Sequence, residues 1–87
     1  MANHNNTPTM NVIARAPFHV YYEGPADSVT AVNKVGVFDI LAGHADFFSM
    51  LDPCEIVIET PTDQVVFAIR NGILTVQDNE VMLFVNM

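Results

Sequence analysis

The chain has 87 residues, three basic side chains against ten acidic ones for a formal net charge of −7, and 51% hydrophobic against 15% charged residues. That length allows one domain, which buries roughly 60 to 65% of the surface its unfolded chain exposes, and the apolar balance belongs to a folded chain and not to a disordered one. Arg15, Lys34 and Arg70 stand far apart in the sequence, so nucleic-acid binding by phosphate neutralisation has no basic run to work with.

The one cysteine, Cys54, excludes an intramolecular disulfide and a zinc site built from several cysteines. The longest apolar runs are residues 65–69 and 81–85, far short of the ~20 residues a membrane helix needs, so no direct membrane insertion is expected. The N-terminus lacks the charged-then-apolar pattern of a secretory signal.

Residues 1–9 are polar and rich in asparagine and predict an unstructured arm ahead of one domain over residues 10–87. Met10, Val12 and Ala14 alternate with Asn11, Ile13 and Arg15, a period of two that predicts a strand ending at Pro17. Phe18, Val20 and Tyr22 predict a second strand, and Gly24-Pro25 a turn. Residues 26–33 are rich in β-branched side chains and predict a third strand. Residues 37–41 are nearly all apolar and predict a short strand buried on both faces or covered by a neighbour. After the turn at Gly43-His44, residues 47–51 are apolar up to Asp52-Pro53, and periodicity leaves strand and helical turn both open.

The second half is more regular. Ile56 and Ile58 alternate with Glu55, Val57 and Glu59, Pro61-Thr62-Asp63 predicts a turn, and Val65, Phe67 and Ile69 predict the inward face of the next strand. Asn71-Gly72 is the strongest short hairpin signal in the chain, because both residue types tolerate positive φ. Leu74 and Val76 continue to a second tight turn at Asp78-Asn79, and Val81, Leu83 and Val85 close the last strand, whose other face carries Met82 and Phe84. About eight to ten short strands without an amphipathic helix predict an all-β fold, an antiparallel sandwich or flattened barrel.

Chemistry-bearing residues are sparse. There is no nucleophile with a matching base and no phosphate-cradling glycine loop, so no catalytic residue and no cofactor is assigned. His44, Asp46 and Asp39 have metal-ligand side chains at a spacing that matches no established site, and no metal is expected. His44 reads as a turn histidine bonded to local backbone, Cys54 as a half-buried turn residue, and Glu55, Glu59 and Asp63 as a solvated face. Phe47 and Phe48 are neighbours, so in a strand they point to opposite faces. One of them is expected at a surface or an interface.

Four ordered blocks resemble the N-terminal β-sandwich domain of the epsilon subunit of F-type rotary ATP synthases, the delta subunit in mitochondria. They are Glu23-Gly24 followed by Ala26-Asp27-Ser28-Val29; the block from Gly36-Val37-Phe38-Asp39-Ile40-Leu41 through Ala42-Gly43-His44-Ala45-Asp46-Phe47-Phe48; Leu51-Asp52-Pro53-Cys54-Glu55; and Asn71-Gly72-Ile73-Leu74-Thr75-Val76. The chain departs from the family pattern where Ala42 and Asp46 replace prolines and where Asp39, Cys54 and Asn71 replace glycines. Val37 stands where well-studied members carry an acidic residue that contacts the membrane ring.

The resemblance implies a non-catalytic subunit at the foot of the rotating central stalk, with the gamma subunit and the c-ring as partners, peripheral to the cytoplasmic face of the plasma membrane. It implies a ring-facing end around Gly36, Val37, Gly43 and His44, and a gamma-facing surface drawing on Phe47, Phe48, Met82 and Phe84. Many members carry a C-terminal helix pair that binds ATP; the 87 residues stop with the sandwich, so no nucleotide binding is expected. Two other classes remain open on the residues alone: a stand-alone sandwich adaptor, and a small-ligand module using the sandwich end as a pocket.

Overall fold

A computed structural model describes residues 9–87, and the polar arm expected over residues 1–9 lies, but for Thr9, outside the described residues. Nine strands follow in chain order: β1 (Met10–Ala16), β2 (His19–Ala26), β3 (Ser28–Asn33), β4 (Gly36–Leu41), β5 (Phe47–Leu51), β6 (Cys54–Glu59), β7 (Gln64–Ile69), β8 (Asn71–Gln77) and β9 (Glu80–Asn86). They form a sandwich of a five-stranded sheet, β2-β1-β9-β8-β5, and a four-stranded sheet, β4-β3-β6-β7. All pairings are antiparallel except β1 with β9, which run parallel.

Alternation decides what is buried. Val12 and Ala14 of β1, Val81, Leu83 and Val85 of β9, and Leu74 and Val76 of β8 point inward from the larger sheet, against Val29, Ala31, Ile40, Ile56 and Ile58 of the smaller one. The period-of-two strands read from these residues are therefore the observed strands, because only one register puts each apolar set inside. Residues 47–51, ambiguous in the sequence, form β5. Ser49 is the one buried polar side chain among the described residues, and Asn33 Nδ2 donates to its Oγ at 3.0 Å, which satisfies it across the two sheets.

Aromatic pairs close the two open sides. β2 carries a bulge opposite Ala14 and Arg15, and Tyr21, the extra residue, stacks on Phe67 of β7 with centroids 4.7 Å apart. Bulges re-aim side chains in this way. On the other side Phe38 of β4 meets Phe47 of β5 edge-on at 5.6 Å.

Three expectations about turns and burial are corrected. Gly24-Pro25 is no turn: both lie inside β2, an edge strand whose free side makes the missing Pro25 N–H harmless. Asn71-Gly72 is no hairpin either, because β7 and β8 belong to different sheets and the chain crosses between them at Arg70, whose N–H donates to Asn86 O. Gly72 is needed for closeness and not for φ: a Cβ there would lie 2.8 Å from the Phe84 carbonyl oxygen. The third concerns β4, which is an edge strand; only Ile40 is fully buried and Val37 is 73% exposed. The Asp78-Asn79 turn is as read, with φ of 51° and 63° joining β8 to β9 in a two-residue hairpin.

Candidate partner-docking face

The strands divide the sandwich into two ends. One, the Lys34 end, gathers residues 17–18, 34–35, 52–53 and 70; the other, the Gly43 end, gathers Asp27 and residues 42–46, 60–63 and 78–79. The Gly43 end is tied together by Asn79. Its side-chain oxygen accepts from Gly43 N at 2.8 Å, its amide donates to Thr9 O at 2.8 Å, and its carbonyl accepts from Asn11 N.

Gly36 and Val37 therefore do not share an end with Gly43 and His44. They open and follow the same strand, and six extended residues carry the chain about 20 Å, so the ring-facing end expected from all four residues is split in two. At the Gly43 end Gly43 holds φ 82°, and His44 Nδ1 donates to Ala45 O at 2.7 Å while its ring meets Phe47 edge-on at 5.5 Å. At the Lys34 end Phe18, in the β1–β2 turn, and Val35, in the β3–β4 turn, project almost entirely into solvent.

The outer face of the five-stranded sheet brings most of the other candidates together. Cross-strand registers put Arg15, Phe84, Ile73 and Met50 in one row, and Ile13, Met82, Thr75 and Phe48 in the next. Phe48 is 62% exposed, Phe84 49% and Met82 39%. Phe47 is not among them: it points between the sheets, against Phe38. The geometry thus joins three of the four candidates and adds Ile13, Ile73 and Met50, which the sequence reading assigned to no interface.

This is unusual chemistry for a solvent face. β9 lies in the middle of its sheet and is apolar on both sides, where an antiparallel strand with one wet face carries polar residues outward. Two rows about 7 Å apart across four strands about 4.8 Å apart outline an apolar patch on the order of 300 Å². The outer face of the smaller sheet differs. There the carboxylates Asp39, Glu55 and Glu59 are interspersed with Val37, Leu41, Val57 and Val66, Thr30 Oγ1 donates to Asp39 at 2.6 Å, and Gln64 Nε2 donates to Glu59 at 2.6 Å. Asp39 and Glu59 are thus engaged by side chains of their own sheet, and charge breaks up the apolar positions of this face.

Among the described residues no three His, Cys, Asp or Glu side chains converge; Asp39 is engaged by Thr30 and Asp46 accepts from Asp78 N at 3.4 Å. Burial pushes the Cys54 thiol above its ordinary value, a backbone hydrogen bond at Val32 draws it down, and the Asp52 carboxylate adds to the rise. The thiolate is the reactive form, so Cys54 is expected to react with an aromatic disulfide reagent at pH 7 more slowly than free cysteine. The gap should close as pH rises through the elevated value, and it should vanish in denaturant.

The family ATP synthase, Delta/Epsilon chain, beta-sandwich domain has a sequence model that matches residues 9–87. The chain belongs to this family. An ATP synthase epsilon chain from Trichlorobacter lovleyi is 32% identical over 69 residues, covering 79% of this chain and 50% of that protein. The chain thus spans about half the length of that curated relative. Two solved assemblies hold chains of the same fold. One is the Tetrahymena thermophila mitochondrial ATP synthase central stalk and c-ring, with TM-score 0.79, 20% identity, and 90% of this chain and 63% of that chain covered. The other is the Euglena gracilis mitochondrial ATP synthase OSCP/F1/c-ring in rotational state 1, with TM-score 0.84, 19% identity, and 100% of this chain and 57% of that chain covered.

Within this delta/epsilon-chain sandwich, the feature that sequence reasoning missed is the convergence of its basic residues. Arg15 is the last residue but one of β1, Lys34 sits in the β3–β4 turn and Arg70 links β7 to β8, so all three fall at the Lys34 end. Chain order hides this, because alternate turns of up-and-down strands share an end however far apart they lie in sequence.

Proposed function

We propose that this chain is a non-catalytic rotor subunit of the central stalk of an F-type ATP synthase, bridging the gamma subunit and the c-ring so that ion flow is coupled to ATP synthesis. The observation that carries the reading is the contiguous apolar outer face of the five-stranded sheet, on a domain of the delta/epsilon-chain family. A rigid, twisted sheet face of this kind transmits torque by shape and buried area, and needs no moving or reacting group. Phe48, Met82 and Phe84, with Ile13, Ile73 and Met50, form the gamma-facing surface; Phe47 supports it from inside the sandwich. The ring-facing end is the one bearing Gly36 and Val37, with Val35 and Phe18 at its tips; Gly43 and His44 brace the opposite end. In this role the subunit is peripheral to a membrane complex, on the cytoplasmic face of the plasma membrane.

Mixing the chain with its cognate gamma subunit is expected to give a one-to-one complex on size exclusion. A folded gamma that leaves the chain monomeric would overturn the stalk reading in favour of a stand-alone adaptor.

A further inference from the structure

We infer that the free edge of β7 takes an extended segment of the gamma subunit as a fifth strand of the smaller sheet. The inference rests on gamma being the partner of the apolar face, and adds a second contact, around the side of the sandwich, in which main chain recognises main chain.

Among the described residues β7 pairs with β6 alone. An edge strand holds out a row of N–H and C=O groups that another strand can pair with, and natural edges are blunted by charge, proline or a bulge. Two of the other three edges are blunted in this way: β2 has its bulge, Glu23 and Pro25, and β4 carries Asp39. The third, β5, has five residues and runs into Asp52, whose N–H donates to Val32 O of the other sheet. β7 has six residues, Gln64–Ile69, with no charge, proline or glycine among them.

The bonds at the start of β7 show which of its groups face outward. Glu59, opposite Gln64, turns its carbonyl to Asp27 N at 2.7 Å, on the side away from β7, and Gln64 N–H donates to Asp63 Oδ1 at 2.7 Å. That pair is not bonded through the ladder. Ladder bonding alternates along an antiparallel pair, so Val66 and Ala68 likewise direct their N–H and C=O groups to the free side.

A depression of about 400 Å³ lies where this edge begins, lined by Tyr22 and Pro25 of β2 and by Pro61, Thr62, Asp63 and Val65. In a strand added to β7, the side chain opposite Val65 points to the same face as Val65, which brings it to this depression; the one two residues along, opposite Phe67, reaches the Tyr21–Phe67 stack. An open edge with a pocket for alternate side chains is the arrangement of strand addition. The segment it fits is five or six extended residues with apolar side chains two apart.

A second copy of the chain fits less well. Its own Val65 and Phe67 are packed against its own core and leave the depression unfilled, and each copy brings a net charge of −7. Position favours gamma. β2 is the last strand of the sheet that bears the apolar face and also one wall of the depression, so a partner lying on that face reaches β7 by passing around β2.

The test is hydrogen exchange at single amides of the chain, alone and with its cognate gamma subunit, together with gamma titrations of wild type, Val66→Pro, Val66→Thr and Phe84→Ala. The Val66 and Ala68 amides are expected to exchange at least tenfold more slowly in the complex. Val66→Pro removes an N–H that β6 does not use, a place where an edge strand tolerates proline, and is expected to weaken binding about tenfold; Val66→Thr keeps that N–H and should stay within twofold of wild type. Circular dichroism checks the fold of each variant, and the exchange measurement needs none of them. Val66 and Ala68 amides that exchange equally fast with and without gamma overturn the inference; if Phe84→Ala still weakens binding, the partner face stands without it. If wild type binds no gamma, both readings fall together. Slow exchange of the two amides already in the chain alone would mean that a second copy or another segment of the chain holds the edge, and overturns the proposal.

Discussion

Replacing Leu83 by alanine is expected to destabilise the sandwich by about 3 to 4 kcal/mol, the range for a fully buried leucine whose neighbours cannot collapse into the space. Leu83 is wholly buried in β9, between Leu74 of β8 and Ala14 of β1. Both neighbours sit on hydrogen-bonded strands that fix the backbone on either side, and the opposing sheet supplies a third wall. A domain of this size has a total stability of roughly 4 to 12 kcal/mol, so the loss removes about a quarter or more of it and lowers Tm by roughly 15 to 25 °C. The control is one residue away. Met82 belongs to the same strand but faces outward and is 39% exposed, so Met82→Ala should cost less than about 1 kcal/mol. Denaturant melts of the two variants measure the difference, and equal losses would contradict the assignment of the two faces of β9.

That pair of neighbours also shows what was legible in the chain. Val81, Leu83 and Val85 announce a strand and its inward face, and so do Ile56 with Ile58 and Leu74 with Val76, because the side-chain period of a strand is fixed at two and a slip of one residue would put every apolar group in water. The Asp78-Asn79 turn was legible for a local reason too, since its residues tolerate the positive φ that a two-residue hairpin demands. Asn71-Gly72 carries the same local signal and means something else. Its glycine answers to the Phe84 carbonyl of a strand further along the chain, a contact that no local window contains.

The candidate site was less legible because it is a property of sheet order. Phe48, Met82 and Phe84 could be recognised as surplus apolar residues, but Ile13 and Ile73 looked like ordinary alternation. They join the face only because β1 pairs in parallel with β9 and β8 lies between β9 and β5. The same reasoning explains Gly36 and Gly43. Close in sequence and in one resemblance block, they are separated by a fully extended strand and belong to opposite ends. Arg15, Lys34 and Arg70 make the converse case, spread along the chain and gathered at one end by the crossing of strands between sheets.

Phe84→Asp is expected to weaken binding to the gamma subunit by about a hundredfold or more while leaving the sandwich folded. Phe84 is at the middle of the apolar face, flanked across its strand neighbours by Ile73 and Arg15, and large side chains at the centre of a desolvated patch are where truncation typically costs 2 kcal/mol or more. An aspartate there adds a carboxylate that must be stripped of water to reform the interface. Its cost in the free protein is smaller, about 1 kcal/mol, because Phe84 is half exposed and loses only a cross-strand pair. Phe47→Ala should do the reverse. That ring meets Phe38 and His44 inside the sandwich, so its loss lowers Tm, while gamma affinity measured below the melting transition stays within about threefold of wild type. Calorimetric titration with gamma, paired with thermal melts of both variants, separates interface from core. If Phe84→Asp bound gamma as tightly as wild type, the outer face would be free in the complex and the docking surface would have to lie elsewhere on the sandwich.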